Sequence, residues 1–286
     1  MASHAEHHFV PRFLLEKWHT APDEKLTSFR WANGQLTSHR YKAKSVAKER
    51  HLYSMGRSGA VPDTRVEKEF WGPHIDDPAS VVHAKILAEG VASLNDNEKK
   101  DWSPFLVSMM LRGPAMIAHM RQRGRTILAE GLDANPDDYL EVRADAPEAT
   151  LREWIERHAP DVLDDLGVMA LPELAFSERL NHAVLNSRWA TRSVDGSRFN
   201  LLISDKPLIQ GGKLESSFLL ALPISPTRVF LAFNNEKTFE NLSLVGRDEF
   251  VRTTNYSTVT AADRYVFGTN RSQEAFVRKF LRLPAA

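Results

Sequence analysis

Two hairpin signals stand at opposite ends of the chain. Asn33-Gly34 and Asp195-Gly196 each lie between two β-prone runs, and these residue types tolerate the positive φ angles of a two-residue hairpin loop. A further pair of β-prone runs, within residues 217–233, is joined by a short turn. Because the connections are short, the sequence predicts at least six strands, mostly antiparallel.

Helical periodicity fills the region between these signals. Apolar residues recur at three- and four-residue spacing over 79–91 and 97–132, and Gly113-Pro114 breaks or kinks the second run. Similar patterns predict helices at 147–158, 171–185, 237–258 and 273–283. The expected fold class is α+β, with a mostly antiparallel sheet built from N- and C-terminal hairpins and a helical middle region.

The length of 286 residues suits one large domain. We expect a single domain over 1–286 with three regions. These are an N-terminal motif and hairpin at 1–60, a helical region at 61–187, and C-terminal strands with closing helices at 188–286. Residues 131–149 form the one linker-like stretch of the sequence.

Composition excludes several classes of protein. With 42% hydrophobic and 26% charged residues, the chain has enough apolar surface to fold, so disorder is not its main state. The absence of cysteine excludes disulfides, thiol nucleophiles and cysteine-ligated metal sites. No apolar run is long enough to span a bilayer, and the N-terminus does not resemble a secretory signal. These features predict a soluble, cytoplasmic protein without a membrane partner.

A net charge of zero conceals an uneven distribution of charge. Residues 1–60 carry net +5 and six of the eleven histidines, residues 130–180 carry net −10, and residues 181–286 carry net +5. One interpretation is a basic face for phosphate, turned away from an acidic face. The alternative is that the acidic stretch is a solvated helical face or a partner of the basic parts within the fold.

The N-terminus carries a cluster of imidazoles. His4, His7 and His8 lie within five residues, close to Arg12, and are suited to a metal ion or a phosphate group. Pro11 favours an extended lead-in, in which His7 and His8 point to opposite sides and only one of them enters a given site. The alternative is a frayed terminus with solvated histidines, but the apolar residues that follow are expected to dock in the core.

Two acidic positions are candidates for metal ligands or a general base. Glu67 lies in an acidic-aromatic segment that ends in Asp76-Asp77, and Asp77 is equally suited to cap the helix that follows. Asp205 follows an apolar strand directly, a position that fixes a polar side chain rigidly. The alternative for Asp205 is a turn, which aspartate also favours.

Arg112 lies on an apolar stripe with Phe105, Met109 and Met116 if the helix is continuous. A buried guanidinium requires a carboxylate, carbonyls or a bound anion, because leaving it unpaired is costly. Glu67 is the first choice of partner, and a phosphate group is the alternative. If the Arg112 side chain instead extends to the surface, its guanidinium is solvated and needs neither partner.

The candidate residues described so far belong to a longer series of short motifs. In chain order the series is the run 7–15, Lys48, Leu52-Tyr53-Ser54, Val66-Glu67, Arg112 with Pro114, Ser204-Asp205 with Pro207, the run 222–226, and Asn255. Together they resemble the bacterial family called domain of unknown function 4238, over nearly the whole chain. The resemblance implies that its dispersed polar residues form one assembled site: His7, His8, Arg12, Glu67, Arg112, Ser204 and Asp205. Asp76 or Asp77 stands where the family has a second acidic residue. On this basis we expect the N-terminal motif to lie near Asp205.

Two functions are compatible with this pattern. The first is a metal-dependent phosphodiester hydrolase, with nucleic acid among its substrates. A divalent ion would be held by His7, His8, Glu67 and Asp205, catalysis would use Asp205, Glu67 and Arg112, and the anion would meet Arg12, Arg112 and Lys48. The alternative is a non-catalytic anion-binding or regulatory module, in which the same histidines and arginines recognise a phosphate-bearing ligand without turnover.

Overall fold

The computed structural model describes residues 5–57, 61–134, 146–213 and 217–283. The chain divides into two compact units, each built from separated segments. Unit 1 comprises Met1–His7, Glu49–His74 and Pro114–Ala175, and unit 2 comprises His8–Lys48, Ile75–Gly113 and Phe176–Ala286. The expected regions follow chain order, whereas the two units interleave along the chain.

The described residues form ten strands: β1 (Glu6–His8), β2 (Leu26–Ala32), β3 (Gln35–Tyr41), β4 (Lys48–Arg50), β5 (Arg188–Ser193), β6 (Ile203–Ser204), β7 (Ile209–Gly211), β8 (Leu219–Ser225), β9 (Arg228–Phe233) and β10 (Val266–Gly268). The α-helices among them are α1 (Arg12–Leu15), α2 (Asp77–Glu89), α3 (Asp96–Leu111), α4 (Pro114–Ala134), α5 (Leu151–His158), α6 (Pro160–Met169), α7 (Leu171–Ala175), α8 (Glu178–Leu185), α9 (Glu236–Leu244), α10 (Arg247–Ala261) and α11 (Glu274–Phe280). A π-helix spans Val66–Asp76, and short 3-10 turns connect several elements.

The first sheet of unit 2 joins the two ends of the chain. Its strand order is β3-β2-β10-β6, and β10 pairs antiparallel with both β2 and β6. The β2–β3 hairpin turns at Asn33-Gly34, where both residues have positive φ angles and Ala32 pairs with Gln35. The predicted hairpin is therefore confirmed, as is the α+β fold with antiparallel sheets and a helical middle region.

The second sheet of unit 2 has the order β5-β9-β8-β7, also antiparallel. The prediction of a hairpin at Asp195-Gly196 is wrong, because β5 pairs with β9 and not with the residues that follow Gly196. Asp195-Gly196 does form a turn, but the residues on either side of it bond to the turn between β8 and β9. The N–H of Val194 donates to the Thr227 carbonyl, and that of Leu201 donates to the Pro226 carbonyl.

Apolar residues on each sheet of unit 2 face helices near the C-terminus. Phe29, Leu202 and Val266 pack with Val259 of α10 and Val277 of α11. The second sheet packs in the same way against the first part of α10 and against α9, through residues that include Val229, Leu231, Phe250 and Val251. This burial supplies most of the free energy that holds the sheets and helices together.

The N-terminal apolar run docks in the core, as expected. Val10, Leu14 and Trp18 are completely buried. The indole N–H of Trp18 donates to the carbonyl of Leu201 at 2.8 Å, so the polar end of this side chain is satisfied inside the protein.

The helical middle breaks where the sequence places Gly113-Pro114. Helix α3 ends at Leu111 and α4 begins at Pro114, because proline has no N–H to continue the first helix. Phe105 and Met109 are buried, but Met116 is 37% exposed. The apolar stripe predicted for a continuous helix therefore stops at the break. The predicted helix over 237–258 is divided in the same way, at Val245-Gly246.

Helices α4 and α6 form the core of unit 1 and approach each other through glycines. A Cβ atom on Gly167 would collide with the backbone of Met120, and one on Gly124 would collide with the backbone of Gly167. The absence of side chains at both positions therefore permits the close contact. Residues 135–145, most of the predicted linker, lie outside the described residues.

The π-helix continues directly into α2. Asp76 already has helical backbone angles (φ −76°, ψ −41°), and its side chain makes no capping hydrogen bond. Capping by the Asp76-Asp77 pair is therefore not observed, because the chain enters α2 from a helical and not from an extended conformation. Among the described helices, each is too short or too polar to span a bilayer.

Candidate anion-binding site

The β2–β3 hairpin carries a polar face opposite the face that packs on the helices. Cross-strand pairs place Ser28 beside His39 and Arg30 beside Thr37. Their neighbours Phe29 and Trp31 belong to the core side, because side chains alternate along a strand. Two cross-strand pairs of polar residues are thus displayed on one face of the sheet.

This polar face forms the floor of a pocket of about 180 Å³, which we call the anion pocket. Its other lining residues come from the end of β3, from the segment that leads into β4, and from the residue before β10. The full lining is Ser28, Arg30, Thr37, His39, Tyr41, Ser45, Val46, Ala47, Lys48 and Tyr265. All of these residues belong to unit 2.

The segment from Ser45 to Lys48 forms one wall of the anion pocket. Ala47 has a positive φ angle of 51°, which turns the chain sharply before β4. The N–H of Phe9 donates to the Ala47 carbonyl at 2.9 Å, and Phe9 is itself buried. The N-terminal motif therefore anchors the wall that carries Lys48.

Tyr265 forms another wall, and Asp205 holds it in place. The two carboxylate oxygens of Asp205 accept the backbone N–H groups of Asp263, Arg264 and Tyr265 at 2.6–2.9 Å. Burial raises the pKa of the Asp205 carboxyl, and these three N–H groups act to lower it. The structure thus gives Asp205 a positioning role, while its catalytic and metal-binding roles stay predictions.

The chemistry of the anion pocket is cationic and rich in hydroxyl groups. Arg30 and Lys48 supply two permanent positive charges, and no acidic residue is found among its described lining residues. Serine, threonine and tyrosine hydroxyls both donate and accept hydrogen bonds. Donors of this kind, together with an arginine and a lysine, are typical of sites for phosphate and related oxyanions.

Arg12, the other predicted anion ligand near the N-terminus, lies in a separate open cleft of unit 2. The cleft has a volume of about 520 Å³ and is lined by Arg12, Glu16, His19, Glu24, Lys42 and Lys44, with Ala43. Arg12 forms an ion pair with Glu16 at 3.6 Å. Two carboxylates share this cleft with the cations, so its charge favours an anion less than that of the anion pocket.

Arg112 is only 1% exposed and pairs with a carboxylate, as the stripe argument required. Its Nη1 donates to Asp76 Oδ1 at 2.7 Å. The carboxylate seen in this contact is that of Asp76, whereas the first choice from the sequence was Glu67. Asp76 is also one of the two residues expected to replace the family's second acidic position. The contact gives Arg112 a structural role, and its role in catalysis stays a prediction.

His7 is completely buried in unit 1. Its Nδ1 accepts the backbone N–H of Tyr53 at 3.0 Å, and its ring stacks on the Tyr53 ring with centroids 5.5 Å apart. A nitrogen that accepts this hydrogen bond is not available to a metal ion. His8, the next residue, is half-buried at the end of β1.

Glu67 is half-buried within the π-helix. In the part of the chain that the structure describes, no three histidine, aspartate or glutamate side chains form a group that could hold a metal ion. Metal binding by His7, His8, Glu67 and Asp205, which are divided between the two units, stays a prediction. The expected proximity of the N-terminal motif to Asp205 stays a prediction.

Sequence reasoning missed a buried ion pair in unit 1. Arg121 donates to Asp165 Oδ1 at 3.2 Å and to the carbonyls of Leu52 and Ser54 at 3.3 and 2.7 Å. The other oxygen of Asp165 accepts the N–H of Gly56 at 2.6 Å. This network ties the segment with Leu52-Tyr53-Ser54 to α4 and α6. The sequence offers no periodic signal for it.

Most of the residues in the anion pocket were also missed, although a signal was present. Within 26–41 the alternation places Ser28 and Arg30 on one side of β2 and Thr37, His39 and Tyr41 on one side of β3. Pairing the two strands through Asn33-Gly34 would have brought these side chains together. Lys48 was the one pocket residue predicted for anion binding.

The family model described as Protein of unknown function (DUF4238) matches residues 6–272, nearly the whole chain. The match includes all the residues of the anion pocket, and it also includes Asp205, which holds one of its walls. The chain matches no curated protein and no solved structure.

Proposed function

We propose that this chain, which belongs to the DUF4238 family, is a binding module for a phosphate-bearing ligand and receives one phosphoryl group in the anion pocket. The observation that carries the proposal is the set of charges in the pocket lining. Arg30 and Lys48 are cationic, and none of the described lining residues is acidic. A dianion entering this pocket meets attraction from both charged residues, and none of the described lining residues repels it.

The size of the anion pocket supports a small anionic group. Its volume of about 180 Å³ is below the roughly 300–1,000 Å³ typical of pockets for drug-sized ligands. One phosphoryl group fits such a space, and the remainder of the ligand would lie outside, beside the exposed ring of Tyr41. The hydroxyl groups of Ser28 and Ser45 can donate hydrogen bonds to the oxygens. The Thr37 hydroxyl donates to the Arg30 carbonyl at 3.1 Å.

Calorimetric titration with inorganic phosphate tests the proposal. We expect saturable binding to the wild type and about tenfold or weaker binding to Arg30→Ala and Lys48→Ala, because a hydrogen bond to a charged group contributes about 1.5–3 kcal/mol. Lys42→Ala is the matched control, since it removes one positive charge directly after β3 and outside the anion pocket. Equal weakening in all three variants would show a general charge effect and contradict the proposal.

A phosphodiesterase assay separates binding from hydrolysis. We expect no metal-dependent hydrolysis of bis(p-nitrophenyl) phosphate with Mg²⁺ or Mn²⁺. This expectation is supported by the described part of the chain, in which no three histidine, aspartate or glutamate side chains form a group that could hold a metal ion. Turnover that requires the metal and disappears in Asp205→Asn would instead support the metal-dependent hydrolase.

Two kinds of probe distinguish the source of the phosphoryl group. Inorganic phosphate and a small phosphate monoester test for one anionic group, and a labelled single-stranded oligonucleotide tests for a nucleic acid. For the small ligand we expect a weak dependence of affinity on salt. Binding of the oligonucleotide alone, with an affinity that falls steeply as salt rises, would identify nucleic acid as the ligand.

A further inference from the structure

A second and larger cavity lies in unit 2, between α10, α11 and the turn before residue 200. Its volume is about 700 Å³, within the range typical of pockets for small organic molecules. It shares no residue with the anion pocket. We call it the α10–α11 cleft.

Apolar side chains supply much of the wall of this cleft. Phe199 contributes a ring that is 40% exposed, Phe276 and Ala275 come from α11, and Val251 comes from α10. The guanidinium of Arg198 lies 5.3 Å from the centre of the Phe199 ring. An aromatic ring with this much exposed surface gains from contact with the apolar part of a ligand.

The buried edge of the cleft is a rigid network of amides. Asn255 accepts the N–H of Leu202 at 2.8 Å and donates to Gln273 at 2.8 Å and to the carbonyl of Asn200 at 2.9 Å. Gln273 donates to the same carbonyl at 2.8 Å. Because these polar groups are mutually satisfied, the wall keeps its shape in the absence of a ligand. Asn255 belongs to the pattern that resembles the family.

Four charged residues line the cleft, and one of them is Arg198, whose guanidinium lies over the Phe199 ring. Asp248 is engaged by its neighbours, since it accepts the Ser197 hydroxyl at 2.7 Å and the Arg198 N–H at 3.0 Å. Glu249 and Arg252, by contrast, form no ion pair within the part of the chain that the structure describes. They lie three residues apart on α10, so both side chains are on neighbouring parts of one helix face.

We propose that the α10–α11 cleft binds a small zwitterion with an apolar body, such as a free amino acid with an aromatic side chain. The carboxylate of the ligand pairs with Arg252 and its ammonium group with Glu249. Its side chain packs against Phe199, Phe276 and Val251. A zwitterion complements both Glu249 and Arg252, whereas a ligand with one charge leaves one of these two residues without a partner.

Three ligands that share a phenyl ring and differ in their charged groups test the inference with the full-length protein: L-phenylalanine, phenylacetate and phenethylamine. Calorimetry should give an affinity for phenylalanine about tenfold higher than for either of the others. Arg252→Gln should lower the affinity for phenylalanine to that for phenethylamine and leave phenethylamine unaffected. Glu249→Gln should show the mirror-image result with phenylacetate.

A variant that fills the cleft tests the location. Ala275 is exposed on α11, so Ala275→Trp places a ring in the cleft without disturbing the core, and it should abolish binding of all three ligands. Arg123→Gln, on the exposed surface of α4, is the matched control and should bind as the wild type does. Absence of phenylalanine binding, equal affinity for the three ligands, or unchanged binding by Ala275→Trp would overturn the inference. None of these results bears on the anion pocket.

Discussion

The Asp205 carboxylate accepts the backbone N–H of Tyr265 at 2.9 Å, which links a family-pattern residue to a wall of the anion pocket. The same carboxylate accepts two further N–H groups, so the chain before β10 is held at three consecutive positions. Ser204 completes this corner, with its hydroxyl donating to the Lys206 carbonyl at 2.9 Å. Ser204 and Asp205, which belong to the family pattern, thus fix the backbone next to the anion pocket.

Asp205→Asn should weaken this corner and, through it, the anion pocket. The asparagine amide presents N–H groups where the backbone also presents N–H groups, so at least one buried donor loses its acceptor. We expect a loss of about 1–3 kcal/mol in the free energy of unfolding, measured with urea. The affinity for phosphate should fall as well, because the segment that carries Tyr265 is held less firmly. Metal-dependent hydrolysis of bis(p-nitrophenyl) phosphate by the wild type that falls in an Asp205→Asn protein of wild-type stability would assign this residue to catalysis.

Gly167→Ala should destabilise unit 1 strongly. The added Cβ would meet the Met120 backbone, which cannot move without shifting α4. We expect a loss of about 3 kcal/mol or more in the free energy of unfolding, at the upper end of the range for overpacked sites. The control is Gly131→Ala on α4, where a Cβ has open space, and this change should be neutral or stabilising.

Arg112→Met should reveal the value of the Arg112–Asp76 ion pair. The change removes the cation but keeps much of the apolar stem, so the Asp76 carboxylate loses its partner in a largely buried place. A loss of about 3–5 kcal/mol in stability is expected from thermal or urea unfolding. Arg123→Met, which removes an exposed arginine, should change stability by less than about 0.5 kcal/mol. Similar stability of the two variants would contradict a structural role for Arg112.

Acid should destabilise the fold through His83. This ring is buried between Phe13 and Trp102, and Nε2 lies 2.8 Å from the carbonyl of Ile224. Burial lowers the pKa of His83 to about 4. Between pH 6.5 and 4 the unfolded chain therefore binds a proton that the folded protein does not. The free energy of unfolding should fall as the pH falls through that window, by on the order of 3 kcal/mol from this residue.

Unfolding measured at several pH values checks this prediction. His83→Gln should flatten the dependence between pH 4 and 6.5, whatever its effect on stability at pH 7. His119→Gln, at an exposed position on α4, serves as the control and should keep the slope of the wild type. A wild-type slope that persists in His83→Gln would mean that other groups are responsible.

Local signals in the sequence predicted those parts of the fold that depend on local chemistry. Asn33-Gly34 specified its hairpin because both residues accept a positive φ angle. Asp195-Gly196 carries a similar signal but makes only a turn, because β5 pairs over its whole length with β9. Pairing between distant strands depends on competition across the whole fold, which a dipeptide does not encode.

The site was predicted in part, for a related reason. Arg112 was predicted to be a buried cation that requires a partner, and it has one in Asp76, but the identity of the partner depends on tertiary packing. Asp205 was predicted to be a polar residue fixed at the end of an apolar strand, with a metal ion or a proton as its target. Asp205 is satisfied by backbone N–H groups, which leave no trace in the residue types of the sequence. Arg30 and His39 were overlooked because polar residues on a strand are usually exposed to solvent, and the covering segment Ser45–Lys48 becomes evident only in the structure.

Phosphate-dependent shifts in the ¹H–¹⁵N spectrum of the labelled protein test the central claim most directly, because they locate the ligand as well as detect it. The account predicts saturable shifts concentrated at the backbone of Ser28, Arg30, His39, Lys48 and Tyr265, and their loss in Arg30→Ala. It also predicts little change at α4 and α6 of unit 1. Absence of saturable shifts at up to tens of millimolar phosphate, or shifts concentrated away from these residues, would contradict phosphate binding in the anion pocket.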